Sequence, residues 1–462
     1  MDDFIHGEKN IFDVQKLLNS VYDIWHTRRH GRSTITARQQ ARLEEIVSFA
    51  REHSSFYREL YRDKRDVRNL PPVTKQVLMA NFDSWVTDPE VNRGGVEAFV
   101  ADEHLVGSLY LGRYAIFTTS GVTGKRGIFV HDSDALAIYT ALGIVRNSPG
   151  ALEPEHIKGM LRSGGRVAVV VATGGHFAGA AAAELARRRS HRIQSFSVLM
   201  PLPELVRALN DFQPAVLFGY PTALLLLAYE QAEGRLRIRP VEAVTGGEWL
   251  APAARRQIGQ AFKCRVRDLY AASEFPGIAF DCGHGWLHVN ADWVILEPVD
   301  EAYRPVQPGE ASRTVLLTNL ANRLQPIIRY DLGDSITLNP DPCPCGSPLP
   351  AIRVEGRRDE IMFLRAQGGE KIPLLPMALA TVIEETPGVA RFQAIQTAPA
   401  AIRIRLEVIS GRDEKQVWEA VAHRLQDYLS VQGLPSIAIE RAGEPPARDP
   451  ISGKFRQVWT EL

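Results

Sequence analysis

Residues 118–129 read TTSGVTGKRGIF. Glycines, hydroxyl residues and two adjacent cations, Lys125 and Arg126, share this short stretch. Successive backbone N–H groups in a Gly/Ser/Thr turn form a concave anion site, and the hydroxyls add donors. The stretch therefore reads as a phosphate loop or, more plainly, as a solvated polar turn. It is not the common phosphate loop, G-x-x-x-x-G-K-[ST]. The spacing here is Gly121-x-x-Gly124-Lys125, and Arg126 stands where Ser or Thr would be.

Four further stretches carry residues capable of chemistry. YAASEFPG (270–277) places Glu274 after a strand-like segment, and RYDLGD (329–334) ends in Asp334. GRRDE (356–360) follows, and RDPISGKFRQ (448–457) sets Lys454 in a Gly-Lys turn near Leu462. Each alone has a bland reading. A Glu after Ser is commonly a helix-capping element, and a lysine near a chain end is commonly solvated.

In this order and spacing, the set resembles the superfamily of adenylate-forming enzymes: acyl-CoA ligases, adenylation domains and luciferases. TTSGVTGK resembles its loop [ST]-[ST]-G-[ST]-T-G-x-P, and YAASE its Y-G-x-[ST]-E. RYDLGD resembles R-Y-R-T-G-D, GRRDE resembles G-R-x-D, and PISGKFRQ resembles P-x-[ST]-x-G-K-x-x-R. The likeness runs from about Leu70 onward. TGGEWL (245–250) and LPPVTK (70–75) are most similar to the phenylacetate–CoA ligase branch. Val122 replaces a usual hydroxyl residue, Arg126 a common Pro, and Asp331-Leu332 the usual Arg-Thr.

The resemblance implies joining of a carboxylate to the α-phosphate of ATP with loss of pyrophosphate, then transfer to a thiol. It implies an aromatic acid, and coenzyme A or a free-standing carrier protein as acceptor, since no carrier domain follows Leu462. Thr118, Thr119, Ser120, Gly121, Thr123, Gly124 and Lys125 would cradle the phosphates. Glu274 would hold Mg²⁺, a hard cation suited to carboxylate oxygen. Gly246, Gly247 and Glu248 would line the adenine and acyl side, with Tyr270, Ala271 and Ser273 also at the nucleotide. Asp334 would accept from the ribose hydroxyls, with Arg357 nearby. Phe177, beside His176, and Tyr220, Pro221 and Gly246 would face the acyl group. Lys454 and Glu274 would be catalytic, Lys454 bridging carboxylate and α-phosphate, and Asp359 would be the hinge of a rotating C-terminal domain. Two other readings share the motifs: transfer to an amine or another nucleophile, and a non-catalytic nucleotide-binding protein.

A second cluster is separate from these motifs. DCGHGWLH offers Cys282, His284 and His288, and PCPCGS offers Cys343-x-Cys345. Thiolates and imidazoles in tight turns suit tetrahedral Zn²⁺. The preferred set is Cys282, His288, Cys343 and Cys345, with His284 as the substitute; the alternative is reduced, packed thiols. Four protein ligands leave no open position, so such a zinc is structural. Cys264, in KCRVRDL, reads as core.

These residues must be held by a framework. The chain has 462 residues, 45% of them hydrophobic and 23% charged, with Lys+Arg and Asp+Glu equal at 54. That composition is globular, and zero net charge argues against nucleic acid or an anionic membrane as main partner. The acidic, mixed N-terminus is unlike a signal peptide. No apolar run is long enough to span a bilayer, and four cysteines do not suggest a disulfide scaffold. The expectation is a cytoplasmic monomer or homodimer.

Helical spacing covers 37–62, and LPPVTK reads as a loop. From residue 166, strands (166–172, 215–220, 241–247, 265–270) alternate with helices (to Arg189, 224–232, 252–262), which implies a parallel α/β sheet. In the tail, AIRIRLEVI alternates as a half-buried strand; a helix with an acidic start and the strand 435–441 follow. The expected architecture is α/β: a large N-terminal domain with parallel-sheet layers, residues 1–355, and a small mobile α+β domain, residues 356–462.

Overall fold

The computed structural model describes residues 14–28, 30–62, 70–119, 127–147, 154–173, 175–188, 190–354, 361–447 and 456–462. Ser120, Gly121, Thr123, Gly124, Lys125, Arg357, Asp359 and Lys454 lie outside the described residues. The chain divides into two compact units. One comprises Met1–Thr118, Ile128–Ile157 and Arg267–Gly356; the other comprises Thr119–Gly127, Lys158–Val266 and Arg357–Leu462. Among the described residues no helix is long and apolar enough to cross a membrane.

The first unit is mostly antiparallel. Thr314–Asn319, a strand buried at every position, pairs with Val294–Val299 on one side and Tyr330–Asp331 on the other. The expected loop LPPVTK contains more structure than that. Val73–Thr74 pairs in parallel with Tyr330–Asp331, and Thr74 then caps the helix Lys75–Ala80 by accepting from Val77 N. A partner strand over 250 residues away supplies the bonds that the local sequence does not advertise. The expected helix over 37–62 is two helices, Arg32–His53 and Ser55–Leu60. Ser54 is extended, and its hydroxyl accepts from Tyr57 N, so it starts the second helix while ending the first.

Two further substructures in this unit matter for the site. The hairpin Ala115–Thr118/Ile128–His131 is buried throughout. The strand Phe275–Asp281 pairs antiparallel with Arg265–Ala272 and with Leu287–Val289, which in turn pairs with Ala351–Val354. Trp85, Tyr57, Phe129 and Phe275 are among the large side chains of the core.

The second unit shows the parallel layering expected. Val167–Val171 lies between Ile193–Ser197 and Val216–Gly219, and Val216–Gly219 pairs with Glu242–Gly246, all in parallel. Helices Ala178–Arg187, Leu202–Phe212, Pro221–Ala232 and Pro252–Phe262 alternate with these strands. The apolar run VAVVV reads correctly as a strand because covering helices bury such strands on both faces. In the C-terminal part, Ala401–Val408 pairs antiparallel with Val389–Ala398 and parallel with Ala438–Arg441. Asp413 caps Glu414–Val431 by accepting from Lys415 N and Gln416 N. One apolar cluster joins Val170, Leu217 and Ala243 of the parallel sheet to Leu374, Leu379 and Leu425.

The sheet is close-packed at Gly219, which sits opposite Val170. A Cβ there would lie 2.8 Å from Val170 O and 2.5 Å from Leu224 Cδ1. Backbone cannot yield as a side-chain tip can. Gly219→Ala is therefore expected to lose stability by about 1–3 kcal/mol, read as a lower midpoint in urea unfolding.

Candidate active site

Glu274 occupies the turn between Arg265–Ala272 and Phe275–Asp281, not a helix start. Its carboxylate is buried, and Tyr330 Oη donates to Glu274 Oε1 at 2.7 Å. Burial pushes this carboxyl above its usual range; the bond from Tyr330 and the charge of Lys75 pull it back, and Asp334 adds to the rise. Asp334 has the same arrangement: Tyr270 Oη donates to Asp334 Oδ2 at 2.7 Å. Both phenols are held well above their usual range, by burial first and then by the neighbouring carboxylates. A buried carboxylate, Glu274, and a half-buried one, Asp334, each with one phenol donor in the same unit, form an anionic focus suited to a hard cation and polar hydroxyls.

The turn carrying Glu274 is tied to the hairpin that flanks the 118–129 stretch at Thr118 and Gly127. Ser273 Oγ donates to Thr118 O at 2.9 Å. His131, at the far end of the same hairpin, lies 2.9 Å from Ser273 O through Nε2. At the base of the 118–129 stretch, Thr119 N donates to Gly127 O at 3.0 Å and Gly127 N to Thr119 Oγ1 at 2.9 Å. Thr118 Oγ1 is buried without a hydrogen-bond partner among the described residues.

In the second unit, Gly246 ends a strand and Gly247 has φ +84°, a conformation that favours glycine. A Cβ at Gly247 would lie 3.1 Å from the Tyr220 ring. Glu248 accepts from Thr222 N at 3.0 Å and from its hydroxyl, so its carboxylate sits at the start of Pro221–Ala232, where the helix dipole favours negative charge. Tyr220 Oη accepts from Ala172 N at 3.3 Å, and Phe177 precedes Ala178–Arg187 and packs with Tyr220 on Val169 and Val171. Ala271 lies in Arg265–Ala272 of the strand that also presents Tyr270.

The Cys/His residues converge. One ligand atom from each of Cys282, His288, Cys343 and Cys345 lies within 4.8 Å of all the others. Cys282 Sγ is 3.6 Å from Cys343 Sγ, and His288 Nε2 is 3.1 Å from Cys345 Sγ. His288 Nδ1 lies 3.0 Å from Leu349 O, which fixes the proton there and leaves Nε2 as the ligating atom. Burial pushes the Cys282 thiol up to about 12, so a cation is what would hold it as thiolate. Three thiols and one imidazole match a closed tetrahedral zinc site. His284, the substitute ligand, is exposed in the turn and stays outside the cluster. Cys264 packs against the second unit's core, and burial raises its thiol to about 12.

No family model matches the chain. The protein CapK of Staphylococcus aureus is 21% identical over 360 residues, which is 71% of this chain and 69% of that protein. Phenylacetate–coenzyme A ligase of Thermus thermophilus is 24% identical over 279 residues, 55% of this chain and 62% of that one. Fumarate–(S)-2,3-diaminopropanoate ligase of Enterobacter agglomerans is 23% identical over 294 residues, covering 61% and 65%. Among solved structures, 2-hydroxyisobutyryl-CoA ligase with its acyl-adenylate and CoA, in the thioesterification state, superposes with TM-score 0.54 at 20% identity, covering 94% of this chain and 91% of that one. The chain has the fold of an acyl-CoA ligase and is similar in sequence to phenylacetate–coenzyme A ligase and CapK. The structural likeness fixes the fold, and the matched stretches span about two thirds of the curated relatives.

The structure brings together Glu274, Ser273, Tyr270, Asp334 and Thr118 in one unit, and Gly246, Gly247, Glu248, Tyr220, Pro221 and Phe177 in the other. Sequence reasoning did not single out Tyr330, Asn319 or His131. Tyr330 lay in plain view inside RYDLGD; nothing local marks the other two.

If the cluster holds zinc, protein purified without chelator carries about one equivalent by elemental analysis, and Cys343→Ser removes most of it and lowers the melting temperature. Less than half an equivalent in the wild type counts against the metal.

Proposed function

We propose that the protein adenylates a carboxylic acid with ATP, releases pyrophosphate and passes the acyl group to a thiol. The carrying observation is the pair of carboxylates, buried Glu274 and half-buried Asp334, each oriented by a phenol. Adenylation brings two anions together, so the site has to neutralise charge as it develops. Bound Mg²⁺ would supply Lewis acidity at the phosphates. Glu274 would hold it, Asp334 would accept from the ribose hydroxyls, and the 118–125 stretch would cradle the outgoing phosphates. Lys454 would bridge the carboxylate and α-phosphate.

In this reading residues 356–462 rotate between half-reactions about Asp359, carrying Lys454 in for adenylation and out afterwards. Such movement assembles a site and excludes water. The acid is aromatic, on the likeness to the phenylacetate–CoA ligase branch, with Phe177 and Tyr220 facing it. The acceptor is coenzyme A or a separate carrier protein, the setting is cytoplasmic, and zinc at the Cys/His cluster is structural. An amine acceptor is the second reading, favoured by the likeness to fumarate–(S)-2,3-diaminopropanoate ligase. Pure nucleotide binding fits less well, since it gives Lys454 nothing to do.

The deciding assay is acid-dependent exchange of labelled pyrophosphate into ATP, without coenzyme A, across aromatic and aliphatic acids. Exchange with one acid class establishes adenylation and names the substrate class. No exchange in protein shown to bind ATP moves the reading to nucleotide binding. Lys454→Ala is expected to abolish exchange yet spare thioester formation from a synthetic acyl-adenylate; equal loss of both steps counts against the rotating-domain model. Glu274→Gln is expected to cut exchange about 100-fold or more, the scale of losing one transition-state charge contact.

A further inference from the structure

We infer that Tyr330, backed by Asn319 and His131, is a positioning residue that fixes the Glu274 carboxylate before any cation arrives. The inference rests on the reading of Glu274 as a cation-binding group and goes beyond it to residues that the motifs do not assign.

Glu274 is gripped at three consecutive points. Tyr330 Oη donates to its carboxylate, at 2.7 Å. Asn319 Nδ2 donates to its backbone carbonyl, at 2.9 Å. His131 Nε2 reaches the preceding carbonyl, that of Ser273, at 2.9 Å. All four side chains are at most 3% exposed.

The directions of these bonds form a consistent circuit. A carbonyl only accepts, so His131 carries its proton on Nε2. Its Nδ1 is then an acceptor, and Tyr139 Oη stands 3.3 Å from it. Tyr139 Oη in turn accepts from Asn319 Nδ2 at 2.9 Å. Asn319 thus spends one N–H on Glu274 O and the other on Tyr139, while its oxygen accepts from Ala321 N and Asn322 N. Burial holds His131 neutral, down to about 4, which keeps this polarity at working pH. A network with every member satisfied is rigid in a way that a partly satisfied one is not.

Tyr330 is itself held from several sides. Its strand pairs with Val73–Thr74 and with Leu316–Leu317. Arg329, immediately before it, takes a left-handed conformation, φ +49°, unusual for a residue with a side chain. Arg329 is locked there: its guanidinium meets both oxygens of Glu297 at 3.1 Å and donates to Leu70 O, and its N–H donates to Thr318 Oγ1 at 2.9 Å. Backbone held in such a conformation at a site is a mark of imposed geometry. Together these contacts fix where the Tyr330 hydroxyl sits, and so which way the Glu274 carboxylate faces.

Outer residues of this kind typically change metal affinity by about 10–100-fold when lost. The test uses the full chain with a non-hydrolysable ATP analogue. Mn²⁺ is titrated in, and free Mn²⁺ is read by electron paramagnetic resonance. Tyr330→Phe removes one oxygen and keeps the ring. It is expected to weaken Mn²⁺ binding about tenfold or more, with the melting temperature unchanged. In pyrophosphate exchange, its Mg²⁺ requirement should rise while KM for the acid stays put. His131→Phe is expected to shift Mn²⁺ affinity in the same direction, and His131→Gln, which restores an N–H, to recover part of it. Unchanged Mn²⁺ affinity in Tyr330→Phe and His131→Phe overturns the inference. So does a parallel loss of acid KM, metal affinity and melting temperature, the mark of a merely structural role. If the wild type shows no exchange with any acid yet Mn²⁺ binding falls as described, the proposed function fails and the positioning role stands.

Discussion

A carboxylate taken out of water is costly unless it gains hydrogen bonds or a counter-charge. The first unit buries Glu274 and brings Asp334 to the same place, and much of its architecture answers that constraint. Each carboxylate receives a phenol of fixed direction, and each phenol comes from a strand with partners of its own. The short parallel strand Val73–Thr74, structurally minor by length, belongs to this arrangement because it flanks Tyr330. Burial still leaves the Glu274 carboxyl raised. The site is therefore hydrogen-bonded well enough to exist, but under-neutralised, which is the electrostatic condition in which a cation is welcome.

What could be read in the sequence, and what could not, divides along the range of the interactions. The parallel strands of the second unit are legible because burial on both faces writes a continuous apolar run, as in VAVVV. The tail strand is legible for the opposite reason: Ile402, Ile404 and Leu406 are buried while Arg403, Arg405 and Glu407 are not, and that alternation is local. Motifs located Glu274, Asp334 and Thr118. Long-range pairing is another matter. His131 meets Ser273 across 142 positions and Asn319 meets Tyr139 across 180, and neither pair leaves any local periodicity. LPPVTK read as a loop because its strand is two residues long and its partner lies far along the chain.

The Cys/His cluster shows both sides of that division in one place. Spacing alone nominated five possible ligands. The choice of His288 over His284 follows from where each falls: His288 lies in the strand Leu287–Val289 and is fully buried, whereas His284 sits between two glycines in left-handed conformation, in an exposed turn. Cys343 and Cys345, with Pro344 between them, both reach the cluster from the turn Cys-Pro-Cys-Gly.

The strand Phe275–Asp281 then connects the two sites of the first unit. Glu274 precedes its first residue and Cys282 follows its last. Eight residue steps at about 3.3 Å each separate them by roughly 26 Å, too far for a charge at the cluster to act on Glu274 through water-screened space. The link is mechanical. A one-residue slip of this strand would turn every side chain to the other face and would carry Glu274 away from Tyr330. A metal held by residues from two segments, around 282–288 and 343–345, would fasten the far end of the hairpin and so oppose that slip. The same pairing, His288 opposite Phe280 and opposite Ala351, ties the ligand set to the register that presents the carboxylate. A metal at the cluster would thus act by holding the strand on which Glu274 depends, and not by touching the reacting groups.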